Sequence, residues 1–128
     1  MRSMLLLALI LSGLAAPPAS AKPGFAAKKP TVDINMVLGQ RYFARGATYY
    51  AAGDYARALD AFEVAQRFKP APALYFNTGR CHDRLEQAAE AIADYERFLA
   101  EVPGTGDAAA VRARISELRV RRTAKPPR

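Results

Sequence analysis

The feature that most restricts this chain is a repeat: matching residue types return after 33 positions through its centre. Tyr42 is matched by Tyr75, Gly46 by Gly79, Ala58 by Ala91, Phe62 by Tyr95 and Pro70 by Pro103. The period runs on in part, with Thr78 mapping to Val111, His82 to Ile115 and Leu85 to Leu118, and then stops. A repeat of this length holds one supersecondary unit that cannot bury its apolar face alone. Neighbouring copies must therefore stack and share a core.

Within each copy the apolar spacing is helical. Asp33 is placed to cap a helix running to about residue 52, and Gly53-Asp54 then gives a turn, Gly tolerating the left-handed conformation and Asp capping the second helix. Tyr55, Ala58, Leu59, Phe62 and Ala65 form one stripe of that second helix, which ends before Pro70. The next copy predicts a helix over 73–85 and a partner lined by Ala88, Ala91, Ile92, Tyr95, Phe98, Leu99 and Val102. Gly104 and Gly106 break the chain. A last helix over about 107–121 carries Ala108, Val111, Ile115 and Leu118 on one side, and Arg112, Arg114, Glu117 and Arg121 on the other. The expected fold class is all-α: antiparallel helix pairs, about five helices and no strand. Gly46 and Gly79, with Ala58 and Ala91, let helices approach closely, and the aromatics fill the space between them.

The ends differ from this centre. Arg2, an apolar run from Met4 to Leu14 and the small residues Ala19-Ser20-Ala21 make residues 1–21 a candidate signal peptide cut after Ala21, with a periplasmic or secreted destination. The apolar run is shorter than the ~20 residues a spanning helix needs. Residues 22–32 read as a Pro/Lys-rich linker, 33–122 as the helical domain and 123–128 as a basic, Pro-rich tail. The formal net charge of +7 is carried by the ends, because residues 33–118 hold ten Lys/Arg against twelve Asp/Glu, or −2. Arg119, Arg121, Arg122, Lys125 and Arg128 close the chain without an acid among them. The one cysteine, Cys81, cannot form a disulfide within the chain and reads as a small core residue, pairing between chains being the other use open to it.

Tyr42, Gly46, Tyr49, Ala58, Phe62 and Pro70, with Gly53 and Tyr55, resemble the pattern of the tetratricopeptide repeat (TPR) family, and Tyr75, Gly79, Ala91, Tyr95 and Pro103 repeat it. The resemblance covers about residues 39–118, as repeats over about 39–71 and 72–104 and a capping helix over about 107–121. Arg45 and Thr78 stand where the family prefers Leu, His82 replaces a first-helix Tyr, and Glu86-Gln87-Ala88 replaces the Gly-Asp-Tyr turn. The resemblance implies an α-solenoid that binds protein or peptide partners in a groove lined by first helices. By position that groove takes Gln40, Phe43, Ala47 and Tyr50, then Phe76, Arg80, Asp83 and Arg84, then Ala109 and Ala113. Phe43, Tyr50, Phe76, Arg80 and Arg84 are the candidate contact residues. The carboxylate clamp of some family members is not carried over: Phe43 and Ala47 replace its Lys and Asn, and Asn77 alone matches.

No catalytic set is apparent. The single His and Cys are neighbours, Cys81-His82, and neighbours on a helix point about 100° apart, which suits neither a nucleophile–base pair nor a shared metal. Phosphate-cradling loops and zinc spacings are missing from the sequence. Asp54, Asp60, Glu63, Glu90, Asp94 and Glu96 lie opposite the apolar stripes and read as a solvated face. The expectation is a non-enzymatic module with no cofactor and no metal, binding a partner protein or peptide and no specific nucleic acid. Two alternatives stay open: tails that attach weakly to anionic surfaces, and a self-associating structural protein.

Overall fold

The structure is a computed structural model that describes residues 30–124. The expected signal peptide, most of the linker and the last four residues lie outside that range. Among the described residues there are five helices and no strand: α1 (Ile34–Ala51), α2 (Tyr55–Phe68), α3 (Pro72–Arg84), α4 (Ala88–Glu101) and α5 (Ala108–Ala124). None is long and apolar enough to cross a membrane. α5 runs three residues beyond the expected 121, so Thr123 and Ala124 belong to the helix and not to the tail.

Local chemistry explains the boundaries. Asp33 caps α1, its Oδ1 accepting from the backbone N–H groups of Asn35 at 3.0 Å and Met36 at 3.3 Å. Asp54 does the same for α2, accepting from the Arg57 N–H at 3.1 Å. α3 has no side-chain cap and begins instead on Pro72, whose missing N–H costs nothing in a first turn.

The turns inside the two helix pairs use one backbone solution despite different residues. Gly53 N–H donates to the Tyr50 carbonyl and Asp54 N–H to Tyr49, and 33 positions later Glu86 N–H donates to Asp83 and Gln87 N–H to His82. This is the paired bonding that closes a helix through a left-handed residue. Gly53 takes it at φ 79°, and Glu86 is forced to the same region at φ 59°. A side chain there costs on the order of 1 kcal/mol. Replacing Glu86 with Gly is accordingly expected to raise the thermal midpoint by several degrees in a scan at neutral pH, whereas a lower midpoint would show that its side chain stabilises the turn.

α1 packs on α2, α3 on α4, and the pairs join through α2 against α3 and α4 against α5. Ala58, Phe62, Ala65, Leu74 and Cys81 form one buried cluster. Ala91, Ile92, Tyr95, Phe98, Val111, Ile115 and Leu118 form the other. Close approach depends on the repeated glycines. A Cβ on Gly46 would lie 2.7 Å from the Phe62 ring, and one on Gly79 would lie 2.8 Å from the Tyr95 ring. The same position in the third copy is Arg112, which is exposed, since no partner helix follows α5 among the described residues.

Candidate binding groove

The first helices of the pairs meet through side chains more than through close backbone contact. Tyr50 near the end of α1 faces Arg80 of α3, whose guanidinium lies 4.3 Å from the Tyr50 ring centroid and 5.7 Å from that of Phe76. Arg84, one turn on, lies 5.7 Å over Tyr55, which itself meets Tyr50 edge-on at 5.1 Å. From the other side Arg114 of α5 grips Asp83 with two N–H groups, Nε to Oδ2 and Nη2 to Oδ1, both at 2.7 Å. Its third nitrogen donates to Glu117 at 2.5 Å. The Tyr95 hydroxyl donates to Asp83 at 3.5 Å from below.

These residues enclose a cavity of about 410 Å³ lined by Tyr50, Arg80, Asp83, Arg84, Glu86, Tyr95, Arg114 and Arg121. The hydrogen bonds to Asp83 push the Arg114 pKa up, against the pull of its partial burial, so its charge is fixed. Burial, with the Asp83 charge second, raises the Tyr95 phenol, which stays protonated and able to donate.

Three of the five candidate contact residues, Tyr50, Arg80 and Arg84, share this cavity, and Asp83 joins them. Phe43 and Phe76 do not line it. Phe43 is 39% exposed on α1 and leans on Phe62 at 5.6 Å between centroids. Phe76 is half-buried against Phe98 at 5.2 Å and Tyr95 at 6.1 Å, and packs on the second core cluster. It is not an open groove aromatic, because a large ring at position 98 gives it something to pack on. Ala109 and Ala113 are exposed but outside the cavity. Sequence reasoning missed Arg114 and Arg121. Their signal is the spacing of seven on α5, which puts both on one flank of the apolar stripe.

The opposite side of α3 corrects a second expectation. Asp94 is half-buried, not on a solvated face. It lines a smaller cavity of about 220 Å³ with Glu63, Gln66, Arg67, Leu74, Tyr75, Thr78 and His82. Its Oδ2 lies 3.6 Å from His82 Nε2 but has no hydrogen-bond partner among the described residues, and neither has Gln66 Nε2. Burial raises the Asp94 pKa, outweighing the nearby Thr78 hydroxyl and the His82 ring. The ionised form is thus disfavoured by folding. The contribution of Asp94 to stability is greatest below the ordinary carboxylate range and is lost as pH rises through its folded pKa. Asp94→Asn is expected to stabilise the protein at neutral pH, on the order of 1 kcal/mol, with the gain shrinking toward about pH 3. Urea titrations at the two pH values would check it, and an equal gain at both would refute the burial explanation.

Among the described residues no three His, Cys, Asp or Glu side chains come close enough to hold a metal ion. Cys81 is fully buried, and burial pushes its thiol up to about 11, unlike an activated nucleophile. No known family model matches the chain. No curated protein matches it significantly either.

Proposed function

We propose that this chain is a non-catalytic, TPR-like protein-interaction module of the cell envelope or secreted fraction, binding a segment of a partner protein in the groove of α1, α3 and α5. The observation that carries this reading is the convergence of Tyr50, Arg80, Arg84 and Arg121 from three helices on one cavity. Aromatic and Arg side chains are the usual anchors of protein interfaces, worth ~2 kcal/mol or more each when well buried on binding. Export is supported by the residue pattern of 1–21.

Attachment to anionic surfaces through a basic tail is the weaker reading. Arg119 pairs with Glu96 and Arg121 lines the cavity, so two of the five closing cations have work within the domain. The test is capture of partners from an envelope extract by the protein and by Tyr50→Ala and Arg80→Glu variants. Captured bands should disappear in both variants while circular dichroism and melting stay within a few degrees of the parent. Equal capture by all three proteins would place the interface elsewhere.

A further inference from the structure

We infer that the groove selects a segment carrying at least two carboxylates, held by Arg80, Arg84 and Arg121 around the fixed Asp83–Arg114 pair; this rests on the groove reading above. The charge of the cavity is opposite to that of its surroundings. Its lining holds four arginines against Asp83 and Glu86, or +2, whereas the other residues of 30–124 hold nine Lys/Arg against ten Asp/Glu, or −1. Arg114 is consumed by Asp83 and Glu117, but Arg80, Arg84 and Arg121 have no ion-pair partner among the described residues.

Geometry says how these cations are offered. Arg80 and Arg84 lie over aromatic rings at 4.3 Å and 5.7 Å. Arginine on a ring face keeps the in-plane N–H donors of its guanidinium, which is the edge a carboxylate takes with two parallel bonds. Asp83 does not supply that acceptor: its oxygens take bonds from Arg114 and Tyr95, and from neither Arg80 nor Arg84. The cations also come from two different helices, α3 and α5. Arg80 and Arg84 are one turn apart on α3, and Arg121 is two turns, roughly 10 Å, beyond Arg114 along α5. Three cations without an ion-pair partner around one cavity of about 410 Å³ exceed the charge of one carboxylate, so an occupant that balances them carries two or more.

The stretches flanking the described residues carry the wrong charge for this cavity. Residues 22–29 carry Lys22, Lys28 and Lys29, residues 125–128 carry Lys125 and Arg128, and neither segment has an acid. Neither stretch complements the cavity, and the occupant inferred is an acidic segment of another protein.

The test is selection of a random peptide library displayed on phage against the purified protein and against an Arg84→Gln/Arg121→Gln variant. Both replaced residues are exposed, so the variant should keep the parental helicity and melting. The expected result is enrichment of peptides with two or more Asp/Glu on the parent. A synthetic copy of the best binder should lose at least about tenfold in affinity on the variant and on raised salt. Peptides selected without acid bias, and lost on Tyr50→Ala, would overturn the carboxylate inference and leave the groove reading standing. Selection of no peptide at all would overturn both. Full displacement of the acidic peptide by millimolar inorganic phosphate would make this a phosphate site and overturn the peptide assignment. Anionic vesicles binding to the parent but not to the variant would overturn it in favour of a lipid surface.

Discussion

Adding one methyl group at Gly46 is expected to cost this protein more stability than most single substitutions. On propensity alone, Ala in the middle of α1 should be better than Gly by about 0.8–1 kcal/mol. The packing reverses the sign. The new Cβ would sit 2.7 Å from two atoms of the Phe62 ring, and that ring is 1% exposed with no room to swing. α1 and α2 must then separate, and overpacking of this kind costs about 1–3 kcal/mol beyond the propensity gain. For a domain of this size the melting midpoint should fall by roughly 5–15 °C. The clash also predicts its own relief: Phe62→Leu is destabilising by itself, but Gly46→Ala should cost less in that background, giving a coupling of about 1 kcal/mol or more in a double-mutant cycle. Gly79→Ala against Tyr95 is the parallel case in the second pair, with ring atoms at 2.8 Å and 2.9 Å. A Gly46→Ala protein that melts at or above the parent would show that the interface is looser than these distances.

The positions that the sequence revealed share a property: their roles are set within one helix pair. Gly46 with Phe62, Asp33 and Asp54 at helix starts, and Gly53 in its turn are all separated from their partners by less than one repeat. The turn at Glu86 was less legible, because nothing about a glutamate asks for positive φ. The packing of α3 on α4 imposes it, and the shared bonding appears only once the two turns are aligned. Phe43 and Phe76 occupy the same repeat position yet end differently. Phe76 meets Phe98, whereas the residue 33 positions earlier is Ala65, which leaves Phe43 with Phe62 alone and more exposed. Arg114 was illegible for another reason. A charged residue opposite an apolar stripe looks solvated until a partner 31 residues away is placed beside it. Asp94 was misread by the same rule in reverse, since the second face of α4 is partly covered by α3. Tertiary partners that cross between repeats are what a period cannot supply.

One such partner sets up the second large effect. Among the described residues, α5 is held to the rest by its apolar stripe, by Arg112 to the Pro103 carbonyl, by Arg119 to Glu96 and by the Arg114–Asp83 fork, which is its one ion pair with α3. In Asp83→Ala the Arg114 guanidinium, 31% exposed, keeps Glu117 but loses two charge-assisted bonds beside the Tyr95 ring. A fully buried pair broken this way would cost about 3–5 kcal/mol. Access of water to Arg114 discounts that to about 1–3 kcal/mol. The loss should be local. Amide hydrogen exchange is expected to speed up along α5 while the Gly46–Phe62 pair of helices keeps its protection, because α5 sits at the open end of the stack and contributes only one face. Asp83→Ala/Arg114→Met should recover part of the stability by removing the stranded cation. It should not recover partner capture if Asp83 and Arg114 hold the walls of the groove in place. Uniform loss of protection across all five helices would mean that the fork is part of the cooperative core, and unchanged exchange in α5 would mean that its apolar stripe suffices to hold it.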